Sequence, residues 1–344
     1  MTGKREYMKQ ESPWAEQEAE LDQAPKSSLS SQAPQKGDIS SLLEHKPTLL
    51  RSSAAFLFND SVLKYPLHTL DDRVVVGTSC LGYSEKTYLV VPAIQVGCPV
   101  QCNFCQVGDQ GYERSLTAKE IVDEIALIVQ KSHQYGYPLA QTRVKISFVA
   151  DGDPLTNPNF GQALEQIAER AVVPMKVSTA YPDTPLAERL FDEICSFSAT
   201  YGDTVQFQIS LNSTDAEYRA RIAKIPLADY RKIREAGEKW QSDVPHARKV
   251  NLTFTLTQET PCTPEDIKDI LTPDLFAIRL RDWAPTERGL RYGLHRIGPE
   301  KLKELADRFV SEGYNVIPGR TGNTERMFIL SAGQLTGMYQ SLLR

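Results

Sequence analysis

The sequence lacks what a membrane or secreted protein would need. No run of eighteen apolar residues occurs, so no membrane span is expected. The charged N-terminus is not followed by an apolar stretch, so no secretory signal is expected. Positive charge is not in excess either: 39 Lys and Arg stand against 44 Asp and Glu, a formal net charge of -5. That balance argues against a surface coated for nucleic acid. The five histidines (His45, His68, His133, His246, His295) are scattered, and no second metal-binding pair such as C-x2-C or H-x3-H stands ready to close a zinc site. Cys80, Cys195 and Cys262 form no disulfide framework, so a reducing, cytoplasmic setting is expected. With 41% apolar and 24% charged residues over 344 positions, the chain has material for one large domain or two ordinary ones.

Against these absences one stretch stands out. Cys98, Cys102 and Cys105 lie within eight residues, spaced C-x3-C-x2-C, with Phe104 just before the third. Three thiolates this close suit a soft metal centre. A structural zinc wants a fourth protein ligand, and none is near in sequence. A four-iron cluster held by three cysteines suits the count better, because one iron is then left for a substrate or cofactor. A zinc site and three incidental core cysteines are the bland alternatives.

The remainder of the chain reads in order. Residues 1–46 are polar and poor in aromatics, so a disordered tail is expected. Residues 47–87 carry short apolar groups between turns and read as a small antiparallel β extension. Strand and helix patterns then alternate. Strands are expected at 88–95, 144–150, 175–180, 205–211, 250–256 and 275–283, with a last short one at 315–318. Helices are expected at 117–129, where Thr117 and Glu120 form a capping box, and at 160–172, 185–198, 226–240, 264–270 and 299–313. A terminal helix is expected at 332–343. About six such units imply a parallel sheet wrapped by helices, too few for a closed eight-stranded barrel. An open partial barrel and a doubly wound sheet both satisfy the pattern.

In parallel folds ligands sit at the carboxyl ends of strands. The polar residues expected there are Asp151-Gly152-Asp153-Pro154, Ser178-Thr179, Ser210-Leu211-Asn212, Thr255-Leu256-Thr257 and Arg281-Asp282-Trp283. Arg281, Arg288 and Arg291 are candidates to clamp an anion. For Arg288 and Arg291 a solvated loop position is the expectation.

The cysteine loop resembles the cluster motif of radical S-adenosylmethionine (SAM) enzymes. That resemblance implies a [4Fe-4S] cluster on Cys98, Cys102 and Cys105, with SAM on the open iron. It also implies reductive cleavage of SAM to a 5′-deoxyadenosyl radical, a flavodoxin- or ferredoxin-type electron donor, and the fold: α/β, an open six-stranded (β/α)6 partial TIM barrel over 88–319, followed by a C-terminal segment over 320–344. From about Tyr88 to Gly337 the chain is similar to the ribosomal and transfer RNA adenine-C2 methyltransferases and their antibiotic-resistance relatives (RlmN and Cfr). Gln95-Val96-Gly97-Cys98, Cys102 and Phe104-Cys105 match that family's loop, and Gly152-Asp153-Pro154-Leu155 resembles its Gly-Glu-Pro-Leu motif. Ser178-Thr179 and Ser210-Leu211-Asn212 stand where it contacts SAM. The resemblance thus implies Phe104, Gly152, Asp153, Pro154, Ser178, Thr179, Ser210, Leu211 and Asn212 as cofactor-binding residues.

The same comparison exposes departures. Ala332 and Val91 stand where that family places its two methyl-transfer cysteines. Alanine offers no nucleophile and valine no proton. The family's catalytic glutamate has no evident counterpart near Thr78, and Ala284 replaces an asparagine. The expectation is a radical SAM reaction on a small molecule, nucleoside or peptide, with Cys80 the candidate hydrogen-atom donor and Cys262 a weaker one. RNA modification, and an iron–sulfur or zinc binding module without catalysis, are the alternatives.

Overall fold

The computed structural model describes residues 37–52, 56–59, 62–81, 87–137, 139, 142–202 and 204–319. One continuous sheet runs through them, in the order β1-β3-β4-β5-β8-β9-β10-β11-β12-β13, with β2 added on β3. Strands β1 (Leu50–Ser52), β2 (Phe56–Asn59), β3 (Val62–Thr69) and β4 (Val74–Leu81) are antiparallel, and β4 pairs antiparallel with β5 (Thr87–Val91). From β5 onward every pairing in this sheet is parallel: β8 (Arg143–Phe148), β9 (Met175–Thr179), β10 (Val205–Ser210), β11 (Val250–Leu256), β12 (Phe276–Asp282) and the short β13 (Asn315–Gly319). The two ends of the path do not pair among the described residues, so the sheet is an open partial barrel rather than a closed one.

Helices follow the strands because the connecting segments carry apolar residues at helical spacing and caps at their starts. They are α1 (Ser40–Glu44), α2 (Ala118–Gln134), α3 (Phe160–Ala168), α4 (Pro185–Tyr201), α5 (Ala216–Ile222), α6 (Tyr230–Asp243), α7 (Glu287–Arg291) and α8 (Pro299–Ser311). The capping box of α2 is formed, with Thr117 and Glu120 exchanging both bonds. Thr184 caps α4 ahead of Pro185, and Asp229 caps α6. The start expected at Pro226 therefore shifts to Tyr230. The short helix expected at 264–270 is only a 3-10 turn, Pro264–Asp266. Helix α3 ends before 172, because Ala171-Val172-Val173-Pro174 is β-branched and proline-bounded.

Period two sorts the strand side chains. Val144, Ile146 and Phe148, then Val177, Phe207, Ile209, Leu252, Phe254, Ile278 and Leu280, belong to the core between sheet and helices. The residues between them face the lumen. Phe207 stacks on Trp240 at 5.4 Å, and the Phe191 ring lies 5.0 Å from Phe207.

Two further expectations are corrected. The strand expected over 88–95 breaks at Pro92, which has no N–H for the ladder. The chain then turns off the sheet: Ala93 donates to Glu124 Oε1 at 2.8 Å, and the Ile94 and Gln95 amides both donate to the Asp151 carbonyl. Gln95–Gly97 becomes β6, paired antiparallel with β7 (Tyr112–Ser115) in a separate two-stranded sheet. The polar tail does not extend to residue 46. Leu42 of α1 is fully buried, and Asp123 of α2 accepts from His45 Nε2 and from the Thr48 and Leu49 amides, fixing this segment to the domain. Residues 1–36, and the segment and terminal helix expected over 320–344 with Ala332, lie outside the described residues.

Candidate active site

The cysteine loop leaves the sheet through β6 and returns through β7. Its entrance depends on Gly97 at φ +77°, where a Cβ would run into the Gly111 carbonyl, which accepts from the Cys98 amide at 2.8 Å. The segment after β12 straps the loop down. Trp283 Nε1 and Thr286 Oγ1 both donate to the Phe104 carbonyl, at 2.9 and 3.0 Å. Arg288 donates from Nε to the Cys102 carbonyl and from Nη2 to the Gln101 carbonyl, pairs with Asp109 at 2.8 Å, and lies over the Tyr292 ring. Arg288 is thus not a solvated loop charge; its side chain is 14% exposed and is the main tie on the loop. Arg291 is more exposed and joins the same Asp109 at 2.6 Å.

Cys98, Cys102 and Cys105 are free thiols, recessed yet partly reached by solvent. Burial pushes all three thiols up, and for Cys98 the Asp153 charge and the other two cysteines add to it. Arg288 bears on Cys102 and Cys105 in the opposite sense, and the buried Arg219 faces Cys102. A site of this kind ionises its sulfurs when a cationic centre binds. Among the described residues no three His, Cys, Asp or Glu side chains gather as a single ion would require. A four-iron cluster takes one thiolate per iron, so its ligands stand farther apart than the four of one tetrahedral ion. Three cysteines with no fourth ligand near them in sequence are the donor count that a four-iron cluster with one open iron takes.

Beside the loop, Gly152 has φ +110°, and a Cβ there would meet Gln95 Oε1 at 2.8 Å. That close approach lets Gln95 Oε1 accept from the Asp153 amide at 3.0 Å. Asp153 is buried and ties two strand ends together. Its Oδ1 accepts from the Leu155 amide and from Thr179 Oγ1 (2.7 Å), and its Oδ2 accepts from the Ala180 amide (2.6 Å). Burial raises its carboxyl to about 6 against these three bonds. Pro154 opens the following 3-10 turn.

Ser178 and Ser210 meet on the lumen side, 3.4 Å apart, and Gln208 Nε2 donates to Ser178 Oγ at 2.7 Å. Thr179 points the other way, toward Asp153, and Leu211 is a fully buried core residue. Asn212, at φ +61°, bridges strand ends: its amide donates to the Thr253 carbonyl and its Oδ1 accepts from the Thr255 amide. Asp282 pairs with Arg296 at 2.8 Å. Cys80 lies on β4 against Val62, Val74 and Val76; Cys262 and Cys195 are buried, and burial pushes both up to about 12. Sequence reasoning missed Gln208 as part of the site, and it named Gln95, Trp283 and Arg288 without their bracing roles. The signal for Gln208 was its lumen-side parity in a strand that alternates apolar and polar residues.

Comparison with known proteins agrees with this geometry. The radical SAM superfamily matches residues 93–271, more than half of the chain. The probable dual-specificity RNA methyltransferase RlmN of Chlorobaculum tepidum is 27% identical over 230 residues, 64% of this chain and 57% of that protein. The corresponding protein of Prochlorococcus marinus is 38% identical over 103 residues, 30% of this chain and 27% of its own length. The match thus spans less than two thirds of these relatives. A crystal structure of a radical SAM methyltransferase from Sphaerobacter thermophilus shares the fold, with a TM-score of 0.68 at 19% identity over 83% of this chain and 80% of that one. No helix among the described residues is long and apolar enough to cross a membrane. The strapped three-cysteine loop at the mouth of an open parallel barrel and the family match agree: the chain belongs to the radical SAM superfamily of enzymes, with a core similar to that of RlmN.

Proposed function

We propose that the protein binds a [4Fe-4S] cluster through Cys98, Cys102 and Cys105, and uses SAM for radical chemistry on a small molecule, nucleoside or peptide rather than for RNA methylation. The observation that carries the reading is the loop itself: three recessed thiols with no fourth ligand beside them in sequence. When bound, the cluster supplies the electron that splits SAM into methionine and a 5′-deoxyadenosyl radical. The rest falls to the chain. Ser178 and Ser210, converged at the lumen mouth, are hydroxyls able to hold a carboxylate or ribose. Asp153 keeps one lone pair of Oδ2 beyond its three internal bonds, and Gly152 lets backbone approach the ammonium group. Phe104, Pro154, Thr179, Leu211 and Asn212 support these groups through their backbone or internal bonds. The strap holds the loop in place through the Phe104, Cys102 and Gln101 carbonyls. Cys80 is the candidate hydrogen-atom donor.

Val91 is buried in β5, where a methylating relative's cysteine is expected, and carries no proton for the adduct step. The names of the curated relatives favour a second reading, RNA methylation with a changed nucleophile. Anaerobic reduction in the presence of SAM and a ribosomal RNA transcript separates the two. We expect release of 5′-deoxyadenosine without methylation of adenine. SAM-dependent adenine methylation would overturn the preference, and a protein yielding no 5′-deoxyadenosine would be a binding module.

A further inference from the structure

A second element holds the cysteine loop besides the strap. The Asn103 amide donates to the Ile222 carbonyl, and the Lys224 amide donates to the Val100 carbonyl, each at 2.9 Å. Ile222 closes α5, so the end of that helix is bonded to the residue after Cys102. Arg219 lies one turn earlier, and residues three apart share a helix face. Its side chain turns into the protein, and the residue is only 3% exposed. Nη1 donates to the Ala228 carbonyl at 2.5 Å and Nη2 to the Ala180 carbonyl at 2.9 Å. The Ala180 amide in turn donates to Asp153 Oδ2 at 2.6 Å. Arg219 therefore ties the helix that holds the cysteine loop to the strand end beside Ser178, Thr179 and Asp153.

Two carbonyls satisfy N–H groups but do not neutralise a guanidinium. Among the described residues no carboxylate forms an ion pair with Arg219, and its Nε is buried without a hydrogen-bond partner. Asp229, beside the accepting Ala228, uses its Oδ1 to cap α6 through the Lys232 amide. Burial lowers the guanidinium to about 10, so it stays charged at neutral pH. Arg288, the other cation at the loop, differs, because Asp109 pairs with it at 2.8 Å. A buried cation without a paired anion is costly to folding. In the same surroundings it favours any negative charge placed near it. Thiolates around a four-iron cluster are such charge, and one-electron reduction adds to it.

We propose that Arg219 is a positioning residue whose buried charge raises the reduction potential of the cluster on Cys98, Cys102 and Cys105, and so makes one-electron reduction easier. The inference rests on the cluster reading and adds a residue outside the cysteine motif. Potentiometric titration of the anaerobic holoprotein, followed by electron paramagnetic resonance without SAM, reads this potential with no turnover. One electron passes from a mediator to the cluster, and no bond forms or breaks. Arg219→Gln keeps an N–H donor but removes the charge. At a given potential its ratio of reduced to oxidised cluster should fall about tenfold, a midpoint about 59 mV lower for one electron. Arg219→Lys keeps the charge and should titrate close to the native protein. Arg221→Gln, exposed on the same helix, should leave the midpoint where it is. Equal midpoints for the native protein and Arg219→Gln would overturn the proposal. Equal shifts in Arg219→Gln and Arg219→Lys would do the same, by making the guanidinium a matter of packing, as would an equal shift in Arg221→Gln. If Arg219→Gln purifies without its cluster, Arg219→Lys decides. A loaded Lys variant at the native midpoint supports the charge; an empty or shifted one makes Arg219 a structural brace and sinks the proposal. A native protein with no four-iron signal would remove the cluster reading itself, whereas equal midpoints in loaded proteins leave that reading standing and remove only this one.

Discussion

At the scale of residues, Asp153 joins the strand ends that frame the candidate site. Its carboxyl sits at about 6 when folded against 3.8 for a free side chain, because burial outweighs three hydrogen bonds. A raised carboxyl pKa means that folding disfavours the charged form. Asp153 therefore contributes most below about pH 4, and that contribution is lost as pH rises to about 6, amounting to about 3 kcal/mol in all. Urea midpoints of the anaerobic protein from pH 5 to 7.5 should fall less steeply for Asp153→Asn than for the native chain. Equal slopes would mean that this carboxyl is ionised as freely as a surface one. Its place after the second barrel strand was legible in the sequence. Two of its three internal bonds were not, since the Thr179 and Ala180 donors lie 26 and 27 residues away in the chain. The same limit applies to Asn212, whose turn conformation and bridge to Thr255 depend on a neighbouring strand.

At the scale of elements, the loop that carries the cysteines is held by a strap about 180 residues further on. Arg288 supplies two carbonyl bonds and one ion pair to it. An Arg→Lys change keeps the charge but loses the planar fork. Arg288→Lys should lower iron and sulfide content after anaerobic purification several-fold, with a loss of stability of about 1–3 kcal/mol. Native cluster content in that variant would show that the loop is held without the strap. Sequence reading placed Arg288 in solvent because charged residues in a loop of this composition normally are. The contact that overrides that rule is non-local. Strand and helix alternation was legible over most of 144–311 because the strands and the longer helices each carry their own period; the short helices α5 and α7 were not expected, and 264–270 was read as a helix. The break at Pro92 was misread because apolar residues continue across it to Val96, and the hydrogen-bond partners that take over, Glu124 and Asp151, belong to other elements.

At the scale of the whole molecule, an antiparallel extension and a parallel half share one sheet that stays open among the described residues. Its mouth gathers three sulfurs, two hydroxyls and a buried acid. The motif and the strand ends were legible in the sequence; the approach of Ser178 to Ser210 from neighbouring strands was not, since it depends on sheet order. Everything in the functional reading needs an iron that the polypeptide leaves open. Electron paramagnetic resonance of the anaerobically reduced protein, recorded with and without SAM, measures that most directly. The account predicts a reduced four-iron signal that changes on adding SAM and is lost in Cys98→Ala, Cys102→Ala and Cys105→Ala. Purified protein carrying one tetrahedral zinc, or a cluster signal indifferent to SAM, would contradict it.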